Sequence, residues 1–102
     1  MAETQRLEVD FNNDMLRILE REGEADLRST RFRQMVERYG GVGAAHLLLK
    51  PDRELPPNTF GYLRQIGRLD LAMEFYVVMD KYRLLFTEQE REIAQWRLDK
   101  GD

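Results

Sequence analysis

The chain has 102 residues, carries 16 Lys plus Arg against 19 Asp plus Glu for a formal net charge of -3, and contains one histidine and no cysteine. This length suits one domain with one core. The missing cysteine excludes a disulfide framework, a thiol nucleophile and a Cys-based zinc site, and a lone imidazole, His46, excludes a multi-histidine metal site within one chain.

The opening "MAETQRLEVDFNND" has neither the basic start nor the apolar run of a signal peptide. No apolar run approaches the roughly 20 residues that span a bilayer. The expectation is a cytoplasmic protein with no membrane contact, metal or cofactor. Charge is unevenly spread. Residues 1–27 carry 3 basic and 8 acidic side chains, residues 28–68 carry 8 and 3, and residues 69–102 carry 5 and 8. Either the acidic ends fold back on the basic middle, or the middle is a basic face for a polyanion or an acidic protein.

Asn12 or Asn13 reads as an N-cap, with Asp14 in the first turn and Met15, Ile18 and Leu19 as an apolar stripe. This predicts a first helix over 13–22, with an earlier start at "TQRLEV" left open and residues 1–11 otherwise a flexible lead. Ser29 or Thr30 caps a second helix, whose Phe32, Met35, Val36 and Tyr39 follow helical spacing. Gly40-Gly41 ends it. "VGAAHLLLK" predicts a short third helix stopped by Pro51, and "PDRELPPN" a loop. Asn58 or Thr59 opens a fourth helix, "TFGYLRQIG", with Phe60, Leu63 and Ile66 inward.

Asp70 is placed to cap a fifth helix over 71–79, followed by an irregular link "DKYRLLF". A β-hairpin over "EFYVVMDKYRLLF" is the competing reading. Thr87 and Glu90 form a T-x-x-E capping box for a last helix over 88–99, with Ile93, Ala94, Arg97 and Leu98 inward and Trp96 off that stripe. The predicted architecture is one compact all-α domain, 1–102, of five or six short helices with 71–79 central.

"YGGVGAAHLLL" lacks both the G-x-x-x-x-G-K-S/T and the G-x-G-x-x-G patterns, so helix ending and close packing explain its glycines better than phosphate binding. No nucleophile or orienting acid accompanies His46 in a catalytic signature, so a non-enzymatic protein is expected. The stretch "GAAHLLLKPDRELPPNTFGYLRQIG" resembles a loosened helix-turn-helix. Tyr62, Arg64, Gln65 and Arg68 would then face bases, and Arg31, Arg33 and Arg38 phosphates. Its turn is longer than the usual 3–4 residues and contains two acids.

Glu74 stands alone as a carboxylate in the apolar "DLAMEFYVVM". Behind an Asp70 cap it gains from the helix dipole, and if covered it needs a cationic partner, for which Arg64 and Arg68 are the nearest candidates. If one flank of 71–79 is open instead, Met73, Tyr76 and Val77 form an apolar contact with Glu74 at its rim and Trp96 beside it.

The segment "FGYLRQIGRLDLAMEFYVVMDKYRLLFTEQEREIAQWRL", with "GGVGAAHLLL" upstream, resembles a module of small bacterial helical proteins. That module reads as an aromatic, L-G-x-L-D-L-x-x-E, an apolar link, then L-F-T-x-E-E and a closing helix. The likeness covers roughly residues 38–98 and departs mildly at Gly67-Arg68 and at Gln89, where a second acid is usual. The family has no assigned activity, so the resemblance implies a bacterial or phage-type cytoplasmic helical protein and transfers no site residue. The functional expectation is a small regulator or adaptor that binds another protein or itself as a homodimer, through Met73, Glu74, Tyr76, Val77 and Trp96. Nucleic-acid binding through the basic middle is the second expectation.

Overall fold

An apolar stripe that extends well before Met15 builds the first helix. Leu7, Phe11, Met15 and Ile18 recur at helical spacing, and α1 runs over Ala2–Arg21 in the computed structural model, which describes residues 2–53 and 58–101. The expected start at 13 is therefore too late, and the earlier start left open at "TQRLEV" is close to the observed one. Phe11 and Met15 are fully buried, so residues 2–12 belong to the fold. Neither asparagine caps α1. A 3-10 turn, Glu22–Ala25, follows, and Asp26 at φ 56 turns the chain back.

The second and third predicted helices are one element, α2, over Thr30–Leu48, broken at Gly40 (φ 77, ψ 170). The break frees the amide of Gly41, which donates to Asn12 Oδ1 at 2.8 Å. Asn12 thus caps the second half of α2 from across the interface. Both glycines are required, for different reasons. Gly40 supplies a left-handed φ that other residues avoid. Gly41 permits contact with α1, since a Cβ there would lie 2.8 Å from Asn12 Cα.

Residues 54–57, inside the predicted loop, lie outside the described residues. α3 spans Thr59–Gln65, and a 3-10 turn spans Leu69–Leu71. The predicted helix 71–79 is shorter than expected. α4 covers only Met73–Val77, and Ala72, not Asp70, holds its N-cap position. Asp70 bonds Arg68 instead, with Oδ1 3.1 Å from Nε. The central position of this segment holds, because Val77 is fully buried and Met73 nearly so. A 3-10 turn, Asp80–Leu85, replaces the competing hairpin. α5 covers Glu88–Lys100 and opens on the predicted capping box, with Thr87 Oγ1 accepting from Glu90 N and Glu90 Oε1 from Thr87 N.

The result is an all-α globule with no strand among the described residues. Its radius of gyration of 12.9 Å is that of a compact chain of this size. No described helix is long and apolar enough to cross a membrane. The apolar side chains form two clusters. The larger joins α1, α2, α4, the Asp80–Leu85 turn and Ala94 of α5, with Phe11 edge-on to Tyr82 at 5.0 Å and to Phe86 at 5.1 Å. The smaller joins Ala25, Phe60, Leu63, Leu71, Ala72 and Leu98.

Candidate functional site

Three arginines close helix C-termini, where the last carbonyls lack helical partners and a cation is favoured. Arg97 Nη1 donates to Leu48 O at the end of α2 (2.7 Å). Arg91 Nη2 donates to Val78 O after α4 (3.1 Å). Arg64 Nη1 donates to Leu98 O (2.9 Å), and its Nη2 donates to Gly101 O, closing α5. Arg97 does a second job. The same Nη1 lies 3.0 Å from Glu74 Oε2, and both side chains are buried. The partner of Glu74 is therefore Arg97, from the C-terminal half of α5, and not Arg64 or Arg68. Burial holds the Glu74 carboxyl above the ordinary carboxylate range, against the opposing pull of its backbone bond and of Arg97.

The two apolar clusters do not merge completely. Between them runs an open groove of about 520 Å3. Ile18 and Met73 of the larger cluster and Phe60, Leu63, Leu71 and Ala72 of the smaller form its buried base. Leu27, Phe32, Met35 and Leu48 form half-buried walls, and Glu74 lies at the base where α4 begins. Arg28, Ser29, Thr30 and Arg31 make a polar rim at the start of α2.

The rim is cationic for a specific reason. Acids near the ends of the chain do fold back on the basic middle. Arg33 lies 3.9 Å from Glu22, and Arg68 is held by Glu24 and Asp70 at 3.1 Å each. These acids do not reach Arg28 or Arg31, both exposed and without an acidic partner within 4 Å among the described residues.

The groove unites Met73, Glu74 and Arg31 of the sequence-derived sets. As an exposed contact, however, the first set is corrected. Met73, Glu74 and Val77 are buried, Tyr76 is half-buried, and only Trp96, at 59% exposure, stands clear of the surface. Tyr76 lies against Phe75, and burial with the nearby charges of Asp14 and Asp70 pushes its phenol up. The second set is also redistributed. Tyr62 donates to Ala25 O at 2.9 Å, Arg64 closes α5 and Arg68 is paired, which leaves Gln65 as the unengaged member on this short helix. Arg38 is exposed, with its guanidinium 5.4 Å from the Tyr39 ring. His46 packs at a tilt on Phe86, with ring centroids 5.2 Å apart, and bonds Glu90 at 2.5 Å, tying α2 to α5.

Sequence reasoning missed Phe32, Met35, Leu48 and Phe60 as site residues. It placed Phe32 and Met35 on an inner stripe, and nothing in their spacing tells a covered stripe from a half-covered one. A comparison of the chain with family models, curated proteins and solved structures found no match.

Proposed function

We propose that the chain is a non-enzymatic, cytoplasmic protein-interaction module of bacterial type, a small regulator or adaptor, and that the groove is its partner-binding face. The observation that carries this reading is the open apolar groove with half-buried Phe32 and Met35 as its walls. Half-buried apolar side chains around a concave surface gain by further burial, roughly 25 cal/mol for each Å2 removed from water. Methionine and leucine walls adapt to the shape of an incoming chain.

The absence of cysteine makes a clean test possible. Thr30→Cys puts a single thiol on the exposed rim, and Glu92→Cys puts one on the exposed face of α5. Each is coupled to a bulky maleimide, and proteins captured from a bacterial lysate are compared with and without nuclease. The expected result is a protein that resists nuclease and is lost only when Thr30→Cys is labelled. Equal capture by both labelled forms removes the groove from the reading. A change of oligomeric state on labelling Thr30→Cys makes the partner a second copy.

A second reading keeps nucleic acid as the partner. It draws on Arg28, Arg31, Arg38, Lys50 and Arg53, which have no acidic partner within 4 Å among the described residues. It does not use α3 as a recognition helix, because Tyr62, Arg64 and Arg68 are engaged internally. Each phosphate contact contributes about -0.9 to the slope of log affinity against log salt, so a flat salt response removes this reading.

A further inference from the structure

We propose that the occupant of the groove is an acidic amphipathic helix of a partner protein, with apolar side chains seated between Phe32, Met35 and Leu48 and carboxylates against Arg28 and Arg31. This rests on the protein-binding reading above and names the chemistry of the partner. Two independent features of the groove point to this occupant.

The first is charge. The chain has more acids than bases, and those acids answer Arg33, Arg68 and Arg97 within 4 Å. Arg28 and Arg31 stay open at the rim of the apolar surface. Glu74, the carboxylate in the groove, is already bonded to Arg97 and does not neutralise them. Glu22, the carboxylate next to the rim, already accepts from Ser29 N at 3.0 Å and lies 3.9 Å from Arg33. An incoming carboxylate therefore meets the unpaired Arg28 and Arg31, while an incoming ammonium meets no free carboxylate among the lining residues.

The second is shape. A groove of about 520 Å3 lies in the range that takes a few large side chains, and it is open rather than closed over. Its walls come from α2 on one side and from α3 and α4 on the other, so it lies between rigid elements. An amphipathic helix lays residues i, i+3, i+4 and i+7 into such a groove and leaves its flanks for the rim.

The probe is a fluorescein-labelled peptide of about sixteen residues, roughly four helical turns. It has leucines at i, i+3, i+4 and i+7 and glutamates on the flanks. A lysine-for-glutamate version and a scrambled version accompany it. Polarisation is read with the wild-type chain and with the Arg28→Glu/Arg31→Glu double variant, whose changes are on exposed side chains. The wild type is expected to prefer the glutamate peptide to both others by at least about tenfold, and the double variant to reverse the preference toward lysine. Equal binding of the glutamate and lysine peptides, or of the ordered and scrambled ones, overturns the proposal. So does a preference for a duplex DNA probe or for dodecanoate that is lost in the same variant. If the peptide preference fails while labelled Thr30→Cys still loses its cellular partner, the module reading stands and only the acidic-helix occupant falls.

Discussion

The two apolar clusters are built by different means. The larger is closed by shape: Phe11, Met15, Val77 and Tyr82 have no exposed surface, two aromatic rings meet Phe11 edge-on, and a glycine lets α1 and α2 touch. The smaller has fewer side chains and is fastened by polar pins that land on backbone: Tyr62 on Ala25 O, and Arg64 on the carbonyls that end α5. Where apolar volume suffices, packing sets most of the geometry, and bonds such as Gly41 N to Asn12 Oδ1 and Arg97 to Leu48 O supplement it. Where it does not, side chain to backbone bonds hold the elements at a set distance, and the groove is the space left between the two regimes.

The largest expected break is at the joint between the clusters. Arg97→Met leaves a buried carboxylate and the Leu48 carbonyl without their donor, and should cost about 3–5 kcal/mol in urea unfolding. Glu74→Leu/Arg97→Met should recover most of it, since an apolar pair of similar volume often replaces a buried ion pair without loss. Recovery of less than half would show that Arg97 acts chiefly on α2. The pH dependence follows from the same group. Burial raises Glu74 above its ordinary value of 4.5, so the folded chain holds that proton more tightly than the unfolded one. Its stabilising contribution is full below the ordinary value and is lost as pH rises through the folded value. The stability advantage of wild type over Glu74→Gln should therefore shrink as pH rises from about 4.5. An advantage that grows with pH would mean that the Arg97 attraction outweighs burial.

Next in size is the closed cluster. Gly41→Ala forces a Cβ against the α1 backbone and should cost about 1–3 kcal/mol by thermal unfolding, whereas Gly43→Ala meets only the Tyr39 side chain, at 3.0 Å, and should cost less. Among the pins of the second cluster, Tyr62→Phe removes one donor from Ala25 O and should cost about 1 kcal/mol. The smallest effect belongs to Arg68→Ala, on a half-exposed network with Glu24 and Asp70. Its change in Tm should fade on raising salt to about 1 M, where screening acts over only about 3 Å.

How much of this was legible in the sequence depends on the range of the interaction. The all-α class, the break at Gly40-Gly41 and the Thr87–Glu90 box are local, and each is encoded within a few residues. The start of α1 was drawn toward 13, with the earlier start at "TQRLEV" only left open, because Asn12 looks like a cap, and it is one, but for α2. The α4 start was misplaced because Asp70 has a nearer arginine to bind than the free amides of Met73. The partner of Glu74 lies 23 positions away, beyond any spacing rule. The groove is harder still to foresee, since it is a shortfall of packing between clusters and not a pattern in either.

The pairing of Phe11 with Tyr82 has a consequence for synthesis. α1 leaves the ribosome before the elements that follow it, yet its buried face meets the Asp80–Leu85 turn and Ala94, which lie far downstream in the chain. At about 5–20 residues per second, that face waits several seconds for its counterpart. Through that interval α1 packs chiefly on α2, and the Asn12–Gly41 contact is a register the nascent chain can set before the Asp80–Leu85 turn exists.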